Sequence, residues 1–426
     1  MRPLPWFCLA IGSWTPNDVN ILEQLKTLTS KQRSTVIACF LGWTLDAFDF
    51  FILVFVIKDI AKEFGTDVTA VTFTLFLTLA MRPLGAFLFG VIADRYGRRP
   101  TLMANILFFS FVEFACGFAP SLTVLIVLRA LFGIAMGGEW GVGAALTMET
   151  IAPQTRGFVS GLLQAGYPTG YLLATIVYWV LYPFIGWRGM FMVGVLPALL
   201  VLYVRTKVEE SPAWLEREQK GQQIFETIAQ RWPLFVYMIV LMTVFNFFSH
   251  GTQDLYPTFL QVQRKFPQPT VAAIAIIYNI GAILGGLSFG TFSERIGRRR
   301  TVCIAALLTL PIIPLWAFSS SPFWLAVGAF GMQFLVQGAW GVIPVHLNEL
   351  SPPDARGTFP GFTYQLGNLF AAGNATIQAS LAQGWGGNYA QALAIVVATV
   401  AIAVFCVTVF GPEAKGVAFV KRAVTA

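Results

Sequence analysis

Long apolar runs recur along the whole chain, and each is long enough to cross a lipid bilayer as a helix. The twelve runs fall at 35–57, 70–92, 100–118, 122–146, 157–181, 186–204, 233–257, 270–292, 301–318, 323–346, 357–382 and 389–410. About twenty helical residues match the hydrocarbon thickness of a membrane. Only 12% of the residues are charged, whereas soluble domains carry about 25%. The sequence therefore predicts an all-α membrane protein with twelve transmembrane helices, which we number segments one to twelve.

The two halves of the chain carry the same residues at a constant separation of 200 positions. The matching pairs include Asp94 and Glu294, Gly138 and Gly338, Trp140 and Trp340, Glu149 and Glu349, Arg156 and Arg356, and Gly161 and Gly361. Such a repeat predicts two pseudo-symmetric six-helix bundles with a pathway between them near mid-membrane. This architecture is typical of transporters.

Charged stretches divide the chain into five parts. We predict a cytoplasmic N-terminal tail at 1–34, a first bundle at 35–204, a cytoplasmic linker at 205–232, a second bundle at 233–410 and a cytoplasmic C-terminal tail at 411–426. Basic residues concentrate after segments two and eight, in the linker and in the C-terminal tail, and basic loops face the cytoplasm. We therefore expect a multi-pass protein of the inner (plasma) membrane. The net charge of +7 then reflects loops facing anionic lipid and not nucleic-acid binding.

No pattern in the sequence indicates an enzyme. The five cysteines are scattered singly, without paired or metal-ligand spacing, and no nucleophile motif or phosphate-binding loop is present. We expect no catalytic residues, no cofactor and no metal site, and we expect a monomer.

A polar stripe interrupts the apolar sequence of segment seven. Its members lie about one helical turn apart on one face: Asn246, His250, Gln253 and Asp254. Ionisable groups are costly in hydrocarbon unless they face water or polar partners, so the stripe predicts the wall of a solute pathway. The alternative is a set of hydrogen bonds between helices. In the second half, Gln337 and Gln365 are expected to face the same cavity.

Three charged residues lie deep in segments one and two. Arg82 is the first candidate to bind a substrate carboxylate, because a guanidinium can contact both oxygens. A permanent salt bridge from Arg82 to Asp46 or Asp49 carries equal weight. These two aspartates are three residues apart and resist joint ionisation in a low dielectric. They are therefore proton-carrier candidates, and Asp46, the deeper one, is preferred.

Segments three and four contribute further buried charges. Glu113 and Arg129 are predicted to form a mutual salt bridge. Glu139 is a second candidate for proton coupling, because the matching position in the other half is Ala339.

Two loop motifs carry a family resemblance. Gly90-x-x-x-Asp94-Arg95-x-Gly97-Arg98-Arg99 and its copy beginning at Gly290 resemble the signature loop of the major facilitator superfamily, as Arg129-x-x-x-Gly133 resembles a second signature. A carboxylate beside arginines can latch the halves on the cytoplasmic side. We expect Asp94 to contact the start of the neighbouring helix and a Glu149–Arg156 pair. The predicted gating residues are Asp94, Arg95, Arg98, Glu149, Arg156, Glu294, Arg295, Arg298, Glu349 and Arg356.

A narrower resemblance lies in segment seven. The pattern Asn246-x-x-Ser249-His250-x-Thr252-Gln253-Asp254-x-x-x-Thr258 resembles the Jen-type lactate permeases of the sialate/lactate:proton symporter branch. The resemblance implies proton-coupled symport of short carboxylates such as lactate, pyruvate or acetate. It also implies substrate roles for Asn246, His250, Gln253 and Asp254. Gln365 and Gly367 are similar to a selectivity pair of that branch.

Other transported solutes and one other class of function remain open. Moving one bare charge against the membrane potential costs about 2.3 kcal/mol per 100 mV, which favours carrying a proton with the anion. The alternatives are a proton symporter for an aromatic acid, sialate or another organic or sugar acid, and a non-transporting sensor. The short linker and tail disfavour the sensor. The expected partners are a small carboxylate, a proton and the lipid bilayer.

Overall fold

The computed structural model describes residues 26, 28–217 and 224–420. These residues are folded almost entirely into helices and include no strand. Most of the predicted N-terminal tail, the middle of the linker and the end of the C-terminal tail lie outside the described residues.

The first bundle contains four unbroken helices followed by two broken segments. Segments one to four are Ser30–Glu63, Val68–Tyr96, Arg98–Cys116 and Leu122–Thr150. Segment five begins with Arg156–Gln164 and continues as Gly166–Val193, which runs on into segment six through a kink at Gly186 with φ of 61°. Ala198–Lys207 completes segment six.

The second bundle repeats this plan with different breaks. Segment seven is Trp232–Gln253, extended by Tyr256–Thr258 and a π-helical turn, Phe259–Gln263. Segments eight, ten and twelve are Gln268–Ile296, Pro322–Leu350 and Tyr389–Phe410. Segment nine joins Arg298–Thr309 to Leu310–Ile312 and Pro314–Phe318, and segment eleven is split into Phe359–Ala371 and Asn374–Gly384. Two short helices lie in the linker, Pro212–Leu215 and Ile224–Gln230.

Nine helical units of the described chain are long and apolar enough to cross a membrane. Segments three, six and eleven fall short on this measure for identifiable reasons. Segment three carries two arginines and a glutamate within 19 residues, and segments six and eleven are broken in two. Together the segments form the predicted fold of twelve helices in two six-helix bundles.

Tight turns join segment two to three and segment eight to nine at the end of the molecule that carries the basic loops, called the basic end below. Each turn is made by a glycine in the positive-φ region, Gly97 at 113° and Gly297 at 99°. A side chain at such angles would be strained. The turn geometry therefore explains why the signature motif has glycine at this point in both halves.

Glycines also let helices pack backbone against backbone within each bundle. A Cβ atom on Gly133 of segment four would overlap the carbonyl oxygen of Thr78 in segment two. In the second bundle, a Cβ atom on Gly285 of segment eight would overlap the carbonyl oxygen of Phe334 in segment ten. Small residues at such crossings are the main means by which membrane helices associate closely.

The two bundles meet in an equally close contact near the basic end. A Cβ atom on Gly141 of segment four would lie 2.8 Å from the Cα of Gly361 in segment eleven. In the pseudo-symmetric position, a Cβ on Gly161 of segment five would overlap the carbonyl oxygen of Gly286 in segment eight. We call this line of contact between the bundles the seam.

A matched pair of glycine substitutions tests the role of close helix packing in stability. Gly133→Ala should lower stability by about 1–3 kcal/mol, because the new methyl group has no room beside Thr78. Gly331→Ala is the control, because a Cβ there comes no closer than 3.6 Å to Ile312. Its helical position should make it neutral or stabilising by about 0.5–1 kcal/mol. Melting temperatures in detergent would compare them, and equal melting temperatures would contradict the packing argument.

Candidate functional site

A carboxylate of one bundle binds backbone N–H groups of the other at the basic end. Asp94 accepts hydrogen bonds from the backbone N–H groups of Gly357 at 2.9 Å and Thr358 at 3.0 Å. The hydroxyl of Thr358 donates a third bond at 2.7 Å. In the pseudo-symmetric position, Glu294 accepts a hydrogen bond from the N–H of Gly157. The predicted contact between Asp94 and the start of the neighbouring helix is therefore confirmed, and it is made twice.

Behind these carboxylates, each bundle contains a two-point salt bridge. Arg98 donates from Nε and Nη2 to both oxygens of Glu149, at 3.1 Å each. Arg298 does the same to Glu349, at 3.0 and 3.2 Å. All four side chains are buried. Two-point pairing satisfies both ions where water is excluded, which a single contact would not do.

A second set of ion pairs crosses the seam. Arg356 of the second bundle lies 3.6 Å from Glu149 of the first, and Arg156 of the first lies 3.8 Å from Glu349 of the second. The predicted Glu149–Arg156 pair is thus wrong, because each arginine contacts the glutamate of the opposite bundle. We call the whole network the latch: Asp94, Arg98, Glu149, Arg156, Glu294, Arg298, Glu349 and Arg356.

The two remaining gating candidates lie outside the latch. Arg95 and Arg295 are exposed. Arg95 lies over the ring of Tyr96, and the carbonyl of Arg295 accepts a hydrogen bond from Lys415. Neither side chain has a described contact across the seam, so a gating role for them stays a prediction.

The C-terminal tail adds a contact to the latch that sequence reasoning missed. The ring of Phe419 lies 3.7 Å from the guanidinium carbon of Arg156 and 3.9 Å from that of Arg356. The carbonyl of Val417 accepts from Arg156 at 2.6 Å, and the N–H of Gly416 donates to Glu349 at 3.2 Å. The tail therefore binds residues of both bundles, and the seam is closed at the basic end.

At the opposite end of segment seven, the predicted polar stripe is partly exposed. His250 and Asp254 have about a third of their side-chain surface accessible, 36% and 37%. The two ring nitrogens of His250 contact Asp254 at 3.2 Å and the Oδ1 of Asn368 in segment eleven at 3.0 Å. An imidazole that donates to two oxygens needs a proton on each nitrogen. Asn368 was missed by sequence reasoning, although it lies three residues after Gln365, one helical turn along the same face.

The amides of the stripe link segment seven to segment ten. Gln253 donates to Gln333 at 2.9 Å, and Gln337 donates to the hydroxyl of Ser249 at 3.0 Å. For these residues the alternative interpretation, hydrogen bonds between helices, describes the observed contacts. Asn246 does not join the stripe, because it is buried and donates to the carbonyl of Met242 in its own helix at 2.7 Å.

Arg82 lies buried near the seam, and most of its guanidinium has no partner. Nε and Nη2 make no hydrogen bond within the described part of the chain. The same is true of all four carboxylate oxygens of Asp46 and Asp49. The alternative of a permanent salt bridge with either aspartate is therefore wrong. Asp46 is nevertheless close enough to Arg82 for their charges to interact.

Gln365 lies at the level of Arg82 on the other side of the seam. Ala86 of segment two faces Gly361 of segment eleven, with 3.9 Å between its Cβ and a Cβ built on the glycine. Arg82 and Gln365 each lie one turn further from the basic end, so they lie at the same level. Neither amide atom of Gln365 has a described partner, although the residue is only 1% exposed.

The other buried charges of the first bundle divide into paired and unpaired groups. Arg129 forms the predicted salt bridge with Glu113 and is enclosed by the rings of Phe132 and Phe191. Glu139 is buried, and neither of its carboxylate oxygens has a described hydrogen-bond partner. Burying an unpaired charge is expensive, so the unpaired carboxylates are candidates to hold a proton.

Two pseudo-symmetric helical bundles, closed at one end and exposing polar side chains at the other, are the architecture of a membrane transporter. Comparison with known families agrees with this class. Residues 39–285 match the model of the Major Facilitator Superfamily, and residues 234–416 match that of the Sugar (and other) transporter family. The chain belongs to the major facilitator superfamily.

Individual relatives resemble the chain over nearly its whole length. A carboxylic acid transporter protein homolog of Saccharomyces cerevisiae is 29% identical over 444 aligned residues, covering 95% of this chain and 72% of that protein. The sialic acid transporter NanX of Escherichia coli is 27% identical, covering 92% and 96%. Among solved structures, the proton:xylose symporter XylE has a TM-score of 0.74 at 17% identity, covering 91% and 97%. The last comparison shows the fold alone.

Removing one latch carboxylate should loosen the basic end. Asp94→Ala leaves two backbone N–H groups and a hydroxyl without their acceptor. Hydrogen bonds to a charged group contribute roughly 1.5–3 kcal/mol, so the open population should rise roughly ten-fold or more. Spin labels at Gln154→Cys and Asp354→Cys, on exposed loops of the two bundles, would report this as a longer inter-label distance in a background without native cysteines.

The matched control for the latch is Glu209→Ala. Glu209 is an exposed carboxylate whose salt bridge with Lys31 lies on the surface, where such pairs contribute about 0–1 kcal/mol. Its distance distribution should match that of the unsubstituted protein. An unchanged distribution in Asp94→Ala would contradict the role assigned to the latch.

Proposed function

We propose that this protein is a proton-coupled symporter of small organic acids, taking up short carboxylates of the lactate, pyruvate and acetate type across the plasma membrane by alternating access. The observation that carries the proposal is the guanidinium of Arg82, which is buried where the two bundles meet and whose Nε and Nη2 have no hydrogen-bond partner within the described residues. A buried cation without a counter-ion is costly unless an anion arrives to pair with it.

Arg82 is the proposed carboxylate-binding group. Its free Nε and Nη2 atoms lie on one edge of the guanidinium plane, which is the geometry that grips both oxygens of a carboxylate. Gln365 adds an unpartnered amide at the same level of the other bundle, and this amide can bind a hydroxyl or carbonyl oxygen on the substrate.

His250 and its partners are proposed to act earlier on the substrate's path. With Asp254 and Asn368 they form the exposed polar group of segments seven and eleven. Gln253, Gln337 and Asn246 are assigned supporting roles, because their side chains bind other helical groups and hold segment seven in register.

Asp46 and Glu139 are the proposed proton-coupling residues. Asp46 is near Arg82, so the charge on one affects the other. The carboxylate of Glu139 packs against Gly42, one turn before Asp46 on segment one. The two acids thus lie on one side of that helix, with Glu139 nearer the basic end. Asp49 faces Gly194 in the break of segment six instead and is a less direct candidate.

The comparisons support a carboxylate substrate without selecting one. The yeast relative's name specifies carboxylic acids, which agrees with the pairing assigned to Arg82. The name of NanX specifies sialic acid, a larger sugar acid that also carries a carboxylate. A proton symporter for a sugar acid or an aromatic acid is therefore the second candidate function.

Uptake of labelled L-lactate into proteoliposomes with an imposed inward proton gradient tests the substrate assignment. Arg82→Ala should lower uptake roughly ten- to hundred-fold, since hydrogen bonds to a charged group contribute about 1.5–3 kcal/mol. Arg82→Lys should recover only part of it, because an ammonium cannot make the two-point contact. Arg231→Ala, at an exposed arginine before segment seven, is the matched control and should transport normally.

Two results would count against the substrate assignment. Full lactate uptake in Arg82→Ala would remove Arg82 from the site. No uptake of lactate, pyruvate or acetate by folded, reconstituted protein would reject the short-carboxylate proposal and direct the assay to sialate and aromatic acids.

Proton coupling can be separated from substrate binding by comparing two kinds of transport. Asp46→Asn should abolish gradient-driven accumulation while keeping exchange of labelled for unlabelled lactate, because exchange needs no net proton movement. Glu139→Gln should slow accumulation in the same way if both acids carry the proton. Glu209→Gln, an exposed substitution, should leave both unchanged. Normal gradient-driven accumulation in Asp46→Asn would exclude that residue as the proton carrier.

A further inference from the structure

Position 364 breaks the symmetry between the two bundles close to the candidate site. In the first bundle, the indole N–H of Trp140 donates to Gln164 at 3.3 Å. The residues 200 positions later are Trp340 and Tyr364. The indole N–H of Trp340 has no hydrogen-bond partner within the described part of the chain. Tyr364 therefore does not repeat the role of Gln164.

The ring of Tyr364 contacts both bundles instead. Its centroid lies 4.7 Å from that of Trp140 in the first bundle and 5.5 Å from that of Trp340 in its own. The guanidinium carbon of Arg82 lies 6.0 Å from the same ring, which is the outer limit of a cation–π contact. Tyr364 is 8% exposed. One side chain thus joins the seam to the proposed carboxylate-binding group.

Along segment eleven, Tyr364 lies between the latch at the basic end and the proposed carboxylate-binding group, Arg82. Segment eleven leaves the basic end at Thr358, whose N–H binds Asp94, and Gly361 then crosses the backbone of Gly141. Tyr364 follows one helical turn later, on Trp140, the residue next to Gly141. Its ring is thus the part of the closed seam that lies nearest to Arg82.

We propose that Tyr364 is the inner gate of the substrate site and the positioning residue for Arg82, so that arrival of a carboxylate on Arg82 loosens the seam. Without substrate, the ring and the guanidinium hold each other, and Tyr364 stays packed on Trp140. A carboxylate draws the guanidinium toward its own oxygens and weakens this hold. The bundles then separate between Trp140 and Tyr364, which opens the site toward the basic end. The inference rests on the proposed carboxylate-binding role of Arg82.

The spin-label pair at Gln154→Cys and Asp354→Cys tests the gate, because it reports opening of the basic end without needing transport. Three variants are compared with the unsubstituted protein, with and without L-lactate: Tyr364→Ala, Tyr364→Phe and the control Phe370→Ala. Phe370 is on the same helix but is 60% exposed on the outer surface of the bundle.

Tyr364→Ala should show the long inter-label distance without lactate, and adding lactate should change it little. Tyr364→Phe keeps the packing on Trp140, so its distances without lactate should remain short. The hydroxyl of Tyr364 interacts with the Arg82 side chain. Its removal leaves Arg82 less firmly held, and half-maximal response should need several-fold less lactate. Phe370→Ala should behave like the unsubstituted protein in both conditions.

The outcomes separate failure of the gate from failure of the proposed function. Short distances in ligand-free Tyr364→Ala, with an unchanged lactate response, would overturn the gate. A Tyr364→Phe variant with an unchanged lactate requirement would overturn the positioning of Arg82. If the unsubstituted protein responds to no carboxylate while Tyr364→Ala is already open, the substrate proposal fails and the gate stands. Circular dichroism and gel filtration of each variant exclude misfolding as the cause.

Discussion

The cost of burying an unpaired charge in a membrane protein underlies the arrangement of every polar group in this structure. Such a charge is tolerated only with a partner, a water-filled cavity or a bound proton. At the basic end the latch carboxylates have their partners: Asp94 binds three donors of the opposite bundle and pairs with Arg98, and Glu149 binds two arginines. Near the centre, Arg82 and Asp46 have free polar atoms. The same physical rule thus accounts for the closed basic end and agrees with the proposed binding of an anion and a proton near the centre.

The pseudo-symmetry shows that charge is distributed unequally between the bundles. The latch residues are repeated in both halves, but the charges of the membrane interior are not. Asp46, Asp49, Arg82, Glu113, Arg129 and Glu139 correspond, 200 positions later, to Asn246, Ser249, Ala282, Ile313, Ala329 and Ala339. Every counterpart is neutral. The first bundle thus holds the fully buried carboxylates of the interior, while the second supplies amides, the partly exposed His250 and Asp254, and the aromatic ring of Tyr364.

The sequence predicted the architecture well because two strong signals agreed. Apolar runs of bilayer length set the number of helices, and the 200-residue repeat set their grouping. The same repeat identified the latch residues but not their partners. Whether Arg156 binds Glu149 or Glu349 depends on the orientation of one bundle relative to the other. A sequence pattern within one bundle contains no information about that orientation. The breaks within helices were also not predicted, because a break such as the kink at Gly186 between segments five and six depends on backbone angles.

The candidate site was harder to predict, because helical periodicity gives the face of a helix on which a residue lies but not its distance from residues on other helices. It placed Asn246 on the face of His250, yet the amide turned to its own backbone. Asn368 and Tyr364 were not predicted, because the role of each depends on its contact with a residue of another helix, His250 and Trp140 respectively. Segment eleven carries both, together with Thr358 of the latch contact, and it is interrupted after Ala371. In the proposed gate, its inner half, Phe359–Ala371, tilts separately from Asn374–Gly384, so that one short helix connects substrate binding to the release of the seam.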